Sequence, residues 1–178
     1  GAKKAGVPVM LVNLDAVPGK ANRHAAAKAR KVFSVYQTPM LPGADPIGMP
    51  LRRVAIGPKD KAAARRELGL DPSKETLLVT GASQGASSIN KMMITLVNLA
   101  QAQKALRSWQ VFHQCGDKEE QELRVAYQQA QVPAIVVPFC HTMGLAWSAA
   151  TIAVSRAGAG SVAEAWANAT PTLFYPYP

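Results

Sequence analysis

Apolar positions recur along this chain in two alternating rhythms. Short runs rich in β-branched residues fall at 7–12, 32–36, 76–80, 110–112, 134–137, 151–154 and 171–175. Such runs predict strands. Between most of them lie longer stretches with helical spacing, at 21–31, 60–68, 86–106, 118–131, 143–149 and 161–168. Leu77-Leu78-Val79 and Ile135-Val136-Val137 are apolar without alternation, as strands covered on both faces should be. Strands alternating with helices predict βαβ units, hence an α/β fold with a parallel sheet and helices on both faces.

One stretch breaks the rhythm. Residues 38–58 hold Pro39, Pro42, Gly43, Pro46, Gly48, Pro50, Gly57 and Pro58, a density that interrupts helix and strand alike. It reads as a connection between domains. The expected division is 1–37 as the tail of one domain, 38–55 as the connection and 56–178 as a second domain. The chain opens Gly1-Ala2-Lys3-Lys4 without methionine and stops at Tyr175-Pro176-Tyr177-Pro178 after an apolar run. Both end domains are therefore expected to be truncated.

Charge sharpens the division. Residues 1–66 hold 13 Lys/Arg against 3 Asp/Glu, and residues 67–178 hold 7 against 8. A basic first third suits anionic lipid or a pyrophosphate. The plainer alternative is a solvated helix face, since Lys20, Arg23, Lys28, Arg30 and Lys31 fall within one helical stretch. Phe33 and Tyr36 are too few aromatics for single-stranded nucleic acid, and no nucleic-acid partner is expected. With 48% hydrophobic residues and 17% charged, general disorder is excluded. No apolar run approaches the roughly 18 residues of a membrane span. Cys115 and Cys140 read as free thiols in the core, in a reducing compartment.

Three segments carry chemistry. In Gly81-Ala82-Ser83-Gln84-Gly85-Ala86 a strand gives way to a small-residue turn and a helix. The unpaired amides of a helix start suit a phosphate, and Ser83 can add a hydroxyl. The turn has neither the G-x-G-x-x-G fingerprint nor a Walker lysine. In Ser155-Arg156-Ala157-Gly158-Ala159-Gly160-Ser161-Val162-Ala163-Glu164 the same order recurs. Here Glu164 suits the vicinal hydroxyls of a ribose, or closes a capping box with Ser161. The third segment, 137–143, holds Phe139, Cys140 and Met143. All three follow strands, where ligands of open α/β sheets bind. His24, His113 and His141 lack metal-ligand spacing and read as surface or satisfied core residues. Neither a metal nor a cofactor is expected.

These segments, with Asn90, His113-Gln114 and the upstream Asp15-Ala16-Val17-Pro18-Gly19-Lys20-Ala21-Asn22-Arg23 and Gly48-Met49-Pro50-Leu51-Arg52, resemble the MurG family in order and spacing. Its members are N-acetylglucosaminyltransferases of peptidoglycan synthesis. The resemblance implies a GT-B type fold of two Rossmann-like domains, UDP-N-acetylglucosamine as donor and lipid I as acceptor, with inverting transfer giving lipid II. It implies a peripheral place on the cytoplasmic face of the bacterial inner membrane, against its anionic surface.

Carried over by position, Ser83 would meet a phosphate of the UDP, Gln84 would belong to the UDP-sugar site and the Cys140 backbone would meet uracil. Ala159, Gly160, Ser161, Val162 and Ala163 would line the diphosphate and sugar, and Glu164 would bind the ribose. Arg52 matches a donor-site arginine and Asp15 an asparagine on the donor sugar. No catalytic base is expected within these residues, so the chain is expected to bind rather than to catalyse. The family's His-Glu-Gln-Asn reads Val12-Asn13-Leu14-Asp15 here, and an acceptor-only carboxylate replaces an amide at Asp15. Gly48-Met49-Pro50 stands for Gly-Asn-Pro, and Gly81-Ala82 for Gly-Gly. Other UDP-sugar transferases, an epimerase, or a nucleotide binder without turnover are the alternatives.

Overall fold

Runs of β-branched residues with few solvent-compatible positions must be covered on both sides, and the computed structural model shows how this is met. It describes residues 5–81 and 86–176 of the 178. These divide into two units, 1–50 and 51–178.

The first unit holds β1 (Met10–Asn13), α1 (Lys20–Ala26), β2 (Lys31–Ser34) and the two-residue β3 (Asp45–Pro46). The strands pair in parallel in the order β1-β2-β3. A polar knot closes their carboxyl ends. Buried Asn13 donates through Nδ2 to Ser34 Oγ at 3.0 Å and to the Asp15 carbonyl at 2.7 Å, and its Oδ1 accepts from Asn22 Nδ2 at 2.9 Å. The helix expected over 21–31 ends at Ala26. Beyond it the Arg30 amide donates to Val9 O and Lys31 already belongs to β2, ion-paired with Asp45. The strand takes the residues the helical pattern had claimed, so Lys28, Arg30 and Lys31 do not share one helix face with Lys20 and Arg23.

The proline-rich stretch is shared between the units. Residues 38–50, with β3, belong to the first, and residues 51–58 to the second. There a 3-10 turn at Arg53–Ala55 buries Ala55 completely. Asn168 holds this segment by donating Nδ2 to Ala55 O at 2.8 Å and accepting the Gly57 amide at 2.8 Å. A Cβ built on Gly57 would lie 2.0 Å from Gly144 O, so backbone meets backbone only because both residues are glycine.

The second unit continues with α2 (Lys61–Glu67), β4 (Thr76–Thr80), α3 (Ser87–Val97), α4 (Ala100–Leu106), β5 (Gln110–Gln114) and α5 (Glu120–Gln129). It ends with β6 (Ala134–Val137), α6 (Met143–Ala149), β7 (Ile152–Arg156), α7 (Ala159–Ala167) and β8 (Thr172–Tyr175). The single helix expected over 86–106 is two, parted at Asn98 and Leu99, whose amides make tight bonds to Thr95 O and Leu96 O. All five strands are parallel, in the order β6-β5-β4-β7-β8. Side chains alternate across the sheet. Leu77, Val79 and Val111 pack on one face with Ile89, Met93, Leu123 and Tyr127. Leu78, Phe112 and Ala153 pack on the other with Ala146, Trp147 and Ala165. Basic side chains close the end of α6: Lys61 Nζ donates to Ala150 O, and buried Arg65 Nε to Ala149 O. Part of the basic excess is thus structural.

Candidate functional site

From β4 the sheet grows in two directions, toward β5 and β6 on one side and toward β7 and β8 on the other. This reversal between β4 and β7 is a topological switch point, where a crevice opens past the carboxyl ends of the strands. A cleft of about 310 Å³ lies at these ends. Its floor follows from strand alternation. Thr80 shares a face with Leu78, and Gln114 with Phe112. The parallel register sets Thr80 beside Gln114, and the Thr80 hydroxyl donates to Gln114 Oε1 at 3.2 Å. The walls are Phe139 and Cys140 after β6, Met143 and Trp147 on α6, Gly158, Gly160, Ser161 and Glu164 from the start of α7, and Arg52.

Two features of α7 give the cleft its chemistry. The first helical bond runs from the Val162 amide to Gly158 O at 2.9 Å, and no side chain caps the helix. The preceding amides therefore lack intrahelical partners and face the positive end of the macrodipole. The small residues that open the helix leave them reachable: among the described residues a Cβ on Gly158 or Gly160 would meet nothing within 4 Å. The second feature is Glu164, further along the same helix and half-buried. The capping-box alternative is not realised, because Gly158 occupies the N-cap and Ser161 lies inside α7. Glu164 Oε2 instead accepts the indole Nε1–H of Trp147 at 2.9 Å.

The residues singled out in the sequence distribute as follows. Arg52, Cys140, Gly160, Ser161 and Glu164 line the cleft. Ala159 opens α7, with Val162 and Ala163 on the same helix outside the lining. Asp15 stands exposed after β1 in the first unit. Ser83 and Gln84 lie outside the described residues. Thr80 and Trp147 escaped sequence reasoning, although both line the cleft. A polar residue ending an apolar run was the signal for Thr80; Trp147 carried no signal beyond its place in the helical stretch 143–149.

His113 is a satisfied core residue rather than part of the cleft. It is fully buried on the opposite face of the sheet, with Nδ1 3.0 Å from Tyr127 Oη and Nε2 3.0 Å from Asn90 Oδ1. Burial pushes its pKa down to about 3 and raises that of Tyr127. Asn90 Nδ2 donates onward to Cys115 O and Glu119 Oε2. Burial, with Glu120 nearby, pushes the Cys115 thiol up to about 11, which leaves it unreactive at neutral pH. Cys115 and Cys140 are both free and buried.

A doubly wound parallel sheet with its cleft at the switch point defines a Rossmann-like ligand-binding domain. Residues 76–178 match the family model of the glycosyltransferase family 28 C-terminal domain, and the chain belongs to that family. Proteins named UDP-N-acetylglucosamine–N-acetylmuramyl-(pentapeptide) pyrophosphoryl-undecaprenol N-acetylglucosamine transferase are similar to it. That of Nocardioides sp. is 37% identical, over 99% of this chain and 48% of its own length. That of Mycobacterium avium is 38% identical, over 99% of this chain and 43% of its own. The crystal structure of Acinetobacter baumannii MurG superposes with a TM-score of 0.70 at 25% identity, covering 99% of this chain and 48% of that one. The chain thus spans about half the length of the relatives it matches, and its parallel sheets covered by helices agree with the GT-B fold of that structure.

Proposed function

We propose that this chain holds the nucleotide of a UDP-sugar, as part of an inverting N-acetylglucosaminyltransferase that uses UDP-N-acetylglucosamine and lipid I. One observation carries the reading. An uncapped helix start and a carboxylate on the same helix line a single cleft at the switch point of the sheet. The amides at 159–161 suit a diphosphate. Glu164 suits the ribose hydroxyls and the carboxyl ends of β5 and β6 the base. The names borne by relatives at 37–38% identity support both the donor and the acceptor.

In the transfer, the acceptor hydroxyl forms a bond to the anomeric carbon as the bond to the UDP oxygen breaks. Negative charge then builds on the diphosphate. The dipole and amides of α7, with Arg52 at the rim, stabilise that departing charge. We assign no general base within the chain. The basic first third fits an acceptor presented on an anionic membrane surface. We assign the protein a peripheral place on the cytoplasmic face of the membrane; no described helix is long and apolar enough to cross a bilayer.

Calorimetry of UDP against the chain, wild type and Glu164→Ala, tests the site. Loss of a ribose-binding carboxylate is expected to weaken binding by roughly 1–3 kcal/mol. Unchanged affinity would remove Glu164 from the site.

A further inference from the structure

Trp147 combines two properties that rarely coincide. It is the largest fully buried side chain among the described residues, and its ring edge reaches the functional cleft. Its backbone is held by the connection between α7 and β8, with Thr170 Oγ1 donating to Trp147 O at 2.9 Å. Packing among the α2, α6 and α7 side chains fixes the ring. The indole N–H, a donor only, is spent on Glu164 Oε2. Among the described residues this is the single hydrogen bond made by the Glu164 side chain.

We infer that Trp147 is a positioning residue that orients the Glu164 carboxylate toward a vicinal diol, and so sets a preference for ribonucleotides over deoxyribonucleotides. The inference rests on the uridine-diphosphate reading of the cleft. A glutamate side chain on a helix surface samples several rotamers. Anchoring one oxygen to a rigid ring leaves one carboxylate plane and one free oxygen. Two adjacent hydroxyls can donate to a carboxylate held in this way, whereas a single hydroxyl uses only half of the arrangement. Pre-organisation of this kind raises affinity by removing an ordering cost. Its benefit should fall mainly on the ligand that engages both hydroxyls.

The test is calorimetry of UDP and 2′-deoxy-UDP against the chain, wild type and Trp147→Phe. Wild type is expected to prefer UDP. Trp147→Phe is expected to lower UDP affinity by about 2- to 12-fold, the cost of ordering one side chain on binding, and 2′-deoxy-UDP affinity by less. The ratio between the two ligands therefore shrinks. An unchanged ratio, or an equal loss for both ligands, would overturn the inference, since a merely structural role moves both alike. Should the phenylalanine variant not fold, benzothienylalanine in place of Trp147 keeps the ring shape and removes only the N–H. If Glu164→Ala loses UDP affinity while the Trp147 variants keep both affinities, the positioning role fails and the site stands. A wild-type chain without UDP affinity overturns the site and the inference together.

Discussion

Two glycines with opposite surroundings separate what serves the fold from what serves the site. Gly57 is required by packing, because any side chain there would enter Gly144 O. Gly160 is not, since its missing Cβ faces open space inside the cleft. Within a helix, glycine is less stable than alanine by up to roughly 1 kcal/mol. Among the described residues no contact repays this at Gly160, and a bare amide suits a ligand approaching the backbone. Gly160→Ala is accordingly expected to raise stability in urea by about 0.5 kcal/mol while weakening UDP binding about 10-fold, close to the 1.4 kcal/mol that a factor of ten represents. Stability and affinity moving in opposite directions is the signature. Unchanged affinity would mean that the diphosphate does not meet these amides. The glycine-rich turn itself was legible in the sequence; which glycine packs and which opens was not, because that depends on partners 87 residues away, as Gly57 and Gly144 show.

At the level of elements, the network around His113 ties β5 to α3 and α5 through Asn90 and Tyr127. Burial keeps the folded imidazole neutral, its pKa lowered from 6.5 to about 3. Unfolded, the ring takes up a proton near pH 6.5. Between these values the unfolded chain binds more protons, so stability falls as pH falls, by up to roughly 1.4 kcal/mol per pH unit. Above pH 6.5 this contribution is complete and flat. Hydrogen bonds from Ser87 to Glu119, from Thr151 to Glu75 and from Ser73 to Asp71 hold those carboxyls below their ordinary range, which adds a loss in more acidic solution. Urea titrations between about pH 5 and 6.5 therefore isolate the histidine. His113→Gln is expected to flatten the slope there; an unchanged slope would place the titrating group elsewhere. The same strand shows why element limits were only partly readable. The apolar signal stops at Phe112 and at Val154, yet β5 runs to Gln114 and β7 to Arg156. Both continuations are polar residues paired in the sheet. The run of apolar and β-branched residues reached the ends of β4 and β6, so their limits at 76–80 and 134–137 were legible.

For the whole molecule, the decisive fact is that every described lining residue of the cleft belongs to the second unit. Among the described residues both apolar clusters of that unit draw on residues 64 and beyond, which gives the unit a hydrophobic core of its own. The sequence placed Asp15 beside the donor sugar by resemblance, whereas the nucleotide is assigned here to residues 52–164. A chain shortened to 51–178 separates these assignments. It is expected to bind UDP within about threefold of the longer chain, a difference of roughly 0.6 kcal/mol, because no described group assigned to the nucleotide has been removed. If the donor sugar meets Asp15, as the resemblance implies, UDP-N-acetylglucosamine is expected to lose part of its advantage over UDP in the shortened chain. The comparison also bears on the substitution of asparagine by aspartate. In the longer chain, Asp15→Asn restores a donor at that position, and competition among UDP-N-acetylglucosamine, UDP-glucose and UDP-galactose reads the result. If the shortened chain keeps the full advantage for N-acetylglucosamine, sugar selection resides in the second unit, and the carboxylate at Asp15 is free to vary without changing the donor.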